Sequence, residues 1–279
     1  MKLTQKLGIA YLRTRIKLIA AISKRKAAEK AFDLFCTPLV RSKRTVKPKY
    51  AEPLQFVFHN YKINGHRWNH PQTKKALVLH GFSSAAHKFD SYAAMLASKG
   101  YEVYSFDAPA HGSSDGLITN GEDYSEMILE ASKLYGPFQT FIAHSVGGLA
   151  ISLALEKLPH DNNSKLVLIA PATETTSIID AAFKLLNIKD KVVKEEFNNL
   201  VYEKTGHTAA WFSIRRAVKN ISAEILWIHD ENDYVTEIKD ALKVKEDRRP
   251  NIRFIITQYL GHRKIYHDAA VKKAIENFV

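Results

Sequence analysis

The sequence Phe141-Ile142-Ala143-His144-Ser145-Val146-Gly147-Gly148 decides the fold of this chain. The apolar run that leads into it predicts a buried strand, and residues 149–158 predict a helix. A serine on so sharp a strand-to-helix turn has a strained backbone, and only small residues fit two positions to either side of it. Ala143 and Gly147 stand at those positions, which favours an exposed nucleophile at Ser145. Small residues also flank many ordinary turns, so the pattern alone leaves a plain strand–helix turn open.

The rest of the chain alternates predicted strands with predicted helices. Two strands joined by a tight turn come first, and a further turn is predicted at Asn64-Gly65. Each later strand leads into a loop and a helix, which indicates an α/β fold with a mostly parallel central sheet flanked by helices. Asp90 is expected to cap the helix that follows the third strand. The predicted strands are residues 54–59, 61–69, 75–79, 101–106, 139–143, 165–170, 224–228 and 252–257.

The charge of the chain is concentrated at its N-terminus. The formal net charge of +12 at first suggests a nucleic-acid binder. Residues 1–50, however, hold 14 Lys and Arg against Glu29 and Asp33, while the remaining residues hold 27 basic and 27 acidic side chains. The basic excess therefore belongs to an N-terminal arm, and we expect no nucleic-acid partner. A single cysteine, Cys36, excludes a disulfide framework and fits a reducing, cytoplasmic location.

The arm itself predicts a helix over residues 3–22. Its charges are too frequent for a transmembrane helix, and no cleavage site of small residues follows it. Two interpretations stay open: residues 1–30 lie on an anionic membrane surface, at the inner membrane face, or they pack on the protein's own domain or on a partner. Helical spacing assigns Lys6, Arg13, Lys17 and Lys24 to a basic stripe and Leu3, Leu7, Tyr11, Leu18 and Ile22 to an apolar face.

The predicted domain organisation follows from these patterns. Residues 1–50 form the basic helical arm and a linker, which is expected to be extended over residues 41–50. Residues 51–279 form the α/β domain. Residues 173–223 carry helical patterns without a convincing strand, which indicates a small helical lid inserted between two strands of the sheet.

Four segments, each at the end of a predicted strand, resemble the α/β-hydrolase fold family. They are L-H-G-F at 79–82, D-A-P-A-H-G at 107–112, A-H-S-V-G-G at 143–148, and H-D-E-N-D at 229–233 with G-H at 261–262. The resemblance covers roughly residues 54–279, and the order serine, acid, histidine is that of the family. It implies a serine hydrolase that is esterase- or lipase-like. The sequence departs from the family at Ala110, Ala143 and Asp230, where glycines are expected.

The resemblance also implies a role for each residue of the site. Ser145 would be the nucleophile, His262 the general base and then the general acid, and Asp233 the carboxylate that orients His262. His267 competes with His262, but it is expected inside the final helix and directed away from the strand-end loops. Asp230 lies three residues from Asp233 and is expected to be a turn or capping residue.

Backbone N–H groups would complete the site. Those of Phe82 and Val146 are implied as the oxyanion hole, and Gly81 would let the backbone approach the substrate closely. His80 and His111 suggest a metal site, but no set of His, Cys and carboxylates has the spacing of metal ligands, so we expect these side chains to hold loops. Water completes the reaction, and neither metal nor cofactor is expected.

The expected activity is cleavage of a carboxylic ester through an acyl-enzyme. The same residues serve thioesterases, amidases and peptidases, and the sequence leaves these open. A hypothesis of another class is a hydrolase-like domain without catalysis that binds or tethers a partner. Apolar residues in the insertion suggest a substrate with an apolar acyl group, although packing of lid helices would require them too. They are Ile178, Ile179, Phe183, Leu185, Leu186, Trp211 and Phe212.

Overall fold

The computed structural model describes residues 3–39, 41 and 48–279, with the side chains of the first helix from residue 7 onward. Within those ranges the strands are β1 Ala51–Phe58, β2 Tyr61–Trp68, β3 Lys75–Leu79, β4 Glu102–Phe106, β5 Thr140–His144, β6 Lys165–Ile169, β7 Glu224–Asp230 and β8 Ile252–Thr257. The helices are α1 Leu3–Ile22, α2 Lys24–Cys36, α3 Asp90–Ser98, α4 Gly121–Tyr135, α5 Val146–Leu155, α6 Thr175–Leu185, α7 Lys191–Thr205, α8 Ile214–Ala217, α9 Ile238–Glu246, α10 Gly261–Lys264 and α11 Ala269–Phe278.

The strands form one sheet in the order β1-β2-β4-β3-β5-β6-β7-β8. The β1–β2 and β2–β4 pairs are antiparallel, and every later pair is parallel. The predicted α/β fold with a mostly parallel sheet is therefore confirmed. The central strand β5 is buried along its whole length, as expected where helices cover both faces of a parallel sheet.

The sheet brings the predicted site segments to one edge. Leu79 at the end of β3 pairs with Ala143 of β5, and His144 pairs with Ile169 at the end of β6. Ile169 pairs in turn with Ile228 of β7. Parallel strands end at the same edge of a sheet, so the loops that follow β3, β5, β7 and β8 meet there.

The turn predicted at Asn64-Gly65 is wrong. Both residues lie inside β2, where Gly65 pairs with Leu54 on one side and with Phe106 on the other. A Cβ on Gly65 would lie 2.2 Å from a ring carbon of Phe106. The glycine is present because an aromatic ring packs on the strand backbone, which is a common reason for glycine inside a strand.

The prediction that Asp90 caps α3 is also wrong. Asp90 is the first helical residue, and the capping position is Phe89, which ends a 3₁₀ turn and makes no side-chain capping bond. Burial, with a smaller contribution from the charge of Asp107, raises the pKa of Asp90 to about 6. Its buried Oδ1 has no hydrogen-bond partner in the part of the chain that the structure describes.

We therefore expect Asp90→Asn to raise the melting temperature near neutral pH by about 2–4 °C. The pKa of Asp90 is higher in the folded state than the value of about 3.9 in an unfolded chain, so ionisation above pH 6 destabilises the fold, and this penalty shrinks as the pH falls toward about 4. Thermal melts of both proteins at about pH 7.5 and about pH 4.5 measure the difference. An equal gain at both pH values would contradict this account.

The chain forms two compact units. One contains the described part of Met1–Thr37 with Glu174–Ser213, and the other contains Pro38–Thr173 with Ile214–Val279. Helices α6 and α7 occupy most of the predicted insertion, and its role as a lid stays a prediction. The predicted domain boundary after residue 50 stays a prediction.

In the first unit α2 packs on α7. Arg25 Nη1 donates to Glu196 at 3.2 Å and to Glu203 at 2.8 Å, and Lys24 Nζ donates to Asp190 at 2.6 Å. These charged pairs are half exposed, so solvent screening keeps each of them weak. The aromatic contact between Phe32 of α2 and Phe197 of α7, at 5.7 Å between ring centroids, adds buried apolar area. The N-terminal segment thus packs on its own protein, which was one of its two predicted arrangements.

The predicted basic stripe on the arm is wrong at Lys24. α1 ends at Ile22, and Ser23 caps a second helix, so Lys24 lies on a different axis from the other members. Arg13 is half-buried and donates to the carbonyl of Leu185 at 3.2 Å. The predicted linker at residues 41–50 lies mostly outside the described residues. Across the described ranges no helix is long and apolar enough to cross a membrane.

Candidate active site

Ser145 lies between β5, which ends at His144, and α5, which begins at Val146. Its φ of 55° and ψ of −123° lie in a region that residues other than glycine rarely adopt. The N–H of Ser145 donates to the carbonyl of Ile169 at 3.1 Å, and its own carbonyl accepts from the N–H of Ala172 at 3.0 Å. The strained strand-to-helix turn expected from the sequence is therefore present and is held on both sides by the backbone.

Different contacts account for each of the small residues around Ser145. A Cβ on Gly147 would lie 2.5 Å from the carbonyl oxygen of His80, and a Cβ on Gly148 would lie 2.9 Å from Pro171. Ala143 is fully buried, with no exposed surface. The turn therefore requires glycine at Gly147, where backbone crosses backbone, and it accommodates the methyl group of Ala143 on the other side.

The ring of His262 bridges Ser145 and Asp233. Its Nε2 lies 3.1 Å from Ser145 Oγ, and its Nδ1 lies 2.8 Å from Asp233 Oδ2. A neutral ring that donates from Nδ1 to the carboxylate leaves Nε2 free to accept the serine proton. The three predicted side chains come from the segments that follow β5, β7 and β8, and they meet in the order that proton transfer requires.

Asp233 is buried but remains well supplied with donors. Its Oδ1 accepts from the N–H groups of Val235 at 2.8 Å and Thr236 at 3.0 Å, and its Oδ2 accepts from the Thr236 hydroxyl at 2.9 Å. Burial alone would raise the pKa of Asp233, but the hydrogen bond and charge of His262 and the two backbone donors outweigh it and lower the pKa below its ordinary value. Asp233 is therefore ionised at neutral pH and favours a positive charge on His262.

Asp230 has a different environment from Asp233. Its Oδ1 accepts from the N–H groups of Asn232 and Gly261, both at 2.9 Å. Its Oδ2 accepts from the N–H of Leu260 at 3.1 Å and from the Thr257 hydroxyl at 2.7 Å. Asn232 lies in the loop that carries Asp233, and the other three donors lie between the end of β8 and the start of α10, which carries His262. Asp230 therefore ties these two segments together.

The placement of His267 differs from its prediction. His267 ends a 3₁₀ turn, Ile265–His267, and the final helix α11 begins only at Ala269. The side chain of Asp268 accepts from the N–H of Val271 at 3.0 Å and caps that helix, which explains why the helix begins so late. His267 is exposed and has no contact with Ser145 or Asp233 among the contacts of the described residues.

The two backbone N–H groups implied for the oxyanion hole are near Ser145. Val146 is the first residue of α5, so its N–H has no acceptor within the helix. Gly81, directly before Phe82, is so close to the turn that a Cβ on it would lie 2.8 Å from Ser145 Cβ. No acceptor for the Phe82 N–H occurs among the described residues. Both groups are therefore available to a ligand, and the oxyanion hole itself stays a prediction.

His80 and His111 hold the surrounding loops. His80 accepts from the N–H of Ala108 through Nε2 at 3.0 Å and donates from Nδ1 to the Gly81 carbonyl at 2.8 Å. His111 accepts from the N–H of Ser83 through Nε2 at 2.9 Å and donates from Nδ1 to the carbonyl of Pro109 at 2.9 Å. Burial lowers the pKa of both rings, that of His111 to about 3, so both are neutral. In the described part of the chain no cluster of His, Cys, Asp and Glu is placed to hold a metal ion.

His144 is a site residue to which the sequence analysis assigned no role. Its Nε2 donates to the backbone carbonyl of His262 at 2.9 Å, while its buried Nδ1 has no partner within the described ranges. Burial, followed by the charge of His262, lowers the pKa of His144 to about 3. The neutral ring of His144, the residue before the candidate nucleophile, is thus hydrogen-bonded to the backbone of the candidate base. Only its position beside Ser145 could have suggested this role.

Comparison with known structures places the fold among the α/β hydrolases. The Pyrococcus furiosus esterase Pf2001 is 18% identical, with a TM-score of 0.64 over 86% of this chain and 96% of its own. Mouse alpha/beta hydrolase domain-containing protein 10 is 16% identical, with a TM-score of 0.61 over 81% and 96%. Est1E from Butyrivibrio proteoclasticus, solved with ferulic acid, is 17% identical, with a TM-score of 0.61 over 81% and 97%. At these identities the likeness concerns the fold alone.

Comparison of the sequence with protein families gives a closer assignment. Residues 70–233 match the family Hydrolase_4, described as serine aminopeptidase, S33. The matched range is more than half of the chain and contains both Ser145 and Asp233. The comparison with curated proteins gave no match. The chain therefore belongs to the serine aminopeptidase S33 family, a serine-hydrolase family of the α/β-hydrolase fold.

Proposed function

We propose that this protein is a serine hydrolase that cleaves carboxylic esters through an acyl-enzyme. The observation that carries the proposal is the ring of His262, whose two nitrogens lie 3.1 Å from Ser145 Oγ and 2.8 Å from Asp233 Oδ2. Ser145 Oγ attacks the ester carbonyl while His262 Nε2 takes its proton, and the buried Asp233 stabilises the resulting imidazolium. The N–H groups of Phe82 and Val146 stabilise the negative oxygen that forms on the substrate.

The second half of the cycle returns the enzyme to its starting state. His262 gives its proton to the alcohol oxygen, and the alcohol leaves with the ester bond broken. Water then attacks the acyl-enzyme, with His262 as the base, and the carboxylic acid is released from Ser145. Attack, protonation and deacylation thus need only these side chains and water, and the proposal includes no metal and no cofactor.

The acyl group is the less defined part of the proposal. We propose an apolar acyl group, as the composition of the insertion suggested. Ile179, Phe183 and Phe212 are nevertheless buried within the protein, so packing accounts for most of that composition. A panel of p-nitrophenyl esters of increasing chain length measures the preferred acyl group directly.

The family match favours a second candidate function. Because the family is described as serine aminopeptidase, we keep cleavage of an N-terminal peptide bond beside ester cleavage. The same three side chains would serve, but the site would also need acceptors for the ammonium group of the peptide. Rates on p-nitrophenyl esters and on aminoacyl p-nitroanilides separate the two functions, and faster cleavage of the anilides would favour the aminopeptidase.

A fluorophosphonate probe tests the proposed chemistry. We expect it to label the native protein and not Ser145→Ala, because it reacts with a serine that a neighbouring base activates. Gel fluorescence measures the labelling, and thermal melting verifies that the variant is folded. Ser84→Ala, which changes a serine in the loop after β3, is the control that should still be labelled. Absence of labelling in the folded native protein would favour a binding protein without catalysis.

We further propose a cytoplasmic location, with the N-terminal segment bringing the protein to the inner face of a membrane. The cytoplasmic part depends on the single cysteine, which offers no intramolecular disulfide. The membrane part depends on the surface of α1 that is described next.

A further inference from the structure

From residue 7 onward, where its side chains are described, the first helix has two apolar faces, and one of them packs on the protein. Ile16 and Ala20 are buried, with 1% and 9% of their surface exposed. The opposite face carries large apolar side chains at helical spacing that remain in solvent. They are Leu7, Tyr11, Leu18 and Ile22, with exposed fractions of 62%, 64%, 65% and 89%.

These four side chains, which we call the outer stripe, form one continuous strip. Their spacings of four, seven and four residues repeat the helical period, so they lie one above another along α1. Single exposed apolar residues are normal on a protein surface, but an aligned set of four on one helix marks an interaction site. Because Ile16 and Ala20 are the buried residues of α1 and lie on its opposite face, the outer stripe takes no part in that packing.

The charges on α1 identify the kind of partner. α1 contains no acidic residue. Arg15 borders the outer stripe on one side and Lys17 lies beyond its other side; both are exposed, and neither has a carboxylate partner in the described part of the chain. Lys24 and Arg25 of α2, in contrast, are paired with carboxylates of α7 and of Asp190, which caps it. The carboxylates therefore engage Lys24 and Arg25 and leave Arg15 and Lys17, beside the outer stripe, available.

We propose that the outer stripe of α1 docks on an anionic lipid surface. The helix would lie in the plane of the interface, with its four apolar side chains among the acyl chains and Arg15 and Lys17 near the anionic headgroups. A second copy of the chain fits less well, because pairing two outer stripes would bring cations from both copies together with no acidic residue on α1 to compensate. This inference does not depend on the proposed ester cleavage.

Co-sedimentation of the full-length protein with vesicles tests the inference. We expect it to pellet with vesicles of phosphatidylcholine and phosphatidylserine, and much less with phosphatidylcholine alone. Ile22→Glu should weaken binding by about tenfold to a hundredfold, since it removes an apolar side chain that docking would bury among the acyl chains and adds a negative charge. Arg15→Gln and Lys17→Gln should each weaken binding to the anionic vesicles by about fivefold and leave the weak binding to neutral vesicles unchanged.

Leu117→Glu is the matched control for Ile22→Glu. It introduces the same charge at an apolar residue that is 83% exposed in the other compact unit, and its vesicle binding should equal that of the native protein. Circular dichroism and melting curves verify that each variant is folded, and hydrolysis of a soluble ester should be the same in all of them. Failure of the proposed activity is thereby distinguished from failure of the membrane docking.

Three results would overturn the docking proposal. The first is absence of pelleting of the folded native protein with anionic vesicles. The second is equal loss of binding in Ile22→Glu and Leu117→Glu. The third is a dimer, detected by sedimentation velocity without lipid, that Ile22→Glu dissociates while vesicle binding persists; this would assign the outer stripe to a second copy of the chain.

Discussion

His262→Ala is expected to lower kcat on p-nitrophenyl butyrate by on the order of 10⁴- to 10⁶-fold. The expectation follows from the position of the ring, which is the one group in contact with both Ser145 Oγ and Asp233 Oδ2 among the described residues. Without it the serine hydroxyl has no base and the departing alcohol has no acid. Release of p-nitrophenol under saturating substrate measures the change, and KM should change far less than kcat because the ring contributes little to ground-state binding.

His267→Ala is the matched control for this substitution. Both residues are histidines near the end of the chain, but His267 ends an exposed 3₁₀ turn and contacts neither partner of the candidate triad in the described structure. Its replacement should leave kcat almost unchanged. Loss of activity in His267→Ala with retention in His262→Ala would reverse the assignment of the base.

Asp233→Asn is expected to lower kcat by about 10⁴-fold. An asparagine amide that donates to Nδ1 would favour the ring form with its proton on Nε2, and that nitrogen could then no longer accept the proton of Ser145. The loss of a buried negative charge would also remove the stabilisation of the imidazolium. Steady-state kinetics at saturating ester measure the effect, and a melting curve separates it from loss of folded protein.

Asp230→Asn is expected to lower stability rather than kcat, in contrast to Asp233→Asn. Both carboxylate oxygens of Asp230 accept hydrogen bonds, so the amide NH₂ of asparagine would face a donor such as the Leu260 N–H. A mismatch of this kind in a buried site costs about 1–3 kcal/mol, so we expect a lower melting temperature and a folded protein that retains most of its kcat. If Asp230→Asn abolished turnover while Asp233→Asn did not, the carboxylate roles would have to be exchanged.

Local patterns predicted most of the sheet and the residues that meet at its edge. Strands β3 and β8 have the predicted bounds, because both are apolar runs that end at clear loop residues. α5 begins at Val146, three residues earlier than predicted, because Gly147 and Gly148 oppose a helix by propensity while the strand crossing requires them. Asp230, predicted as a turn or capping residue, is the last residue of β7, and its carboxylate accepts backbone N–H groups from the segments that follow β7 and β8.

Contacts between distant parts of the chain could not be predicted in this way. The pairing of Arg25 with Glu196 and Glu203 joins residues more than 170 positions apart, and neither segment has a pattern that selects the other. The hydrogen bond from His144 to the carbonyl of His262 is equally remote from any local signal. The turn prediction at Gly65 is wrong because the ring that packs on this glycine belongs to β4. The sequence around Gly65 does not contain that information.

The order of the strands has a consequence for how the candidate site would fail. Ser145 follows the central, fully buried strand β5, whereas His262 follows β8, the last strand in the order, which pairs on one side only in the described part of the chain. Edge elements open locally at a lower free energy than the centre of a sheet. Fraying of β8 would carry His262 away from Ser145 while the strained turn at Ser145 stayed folded. Loss of activity on heating would then be a transition separate from unfolding, controlled by the β7–β8 edge and its hydrogen bonds to Asp230. Heat would inactivate the enzyme below the temperature at which the sheet melts.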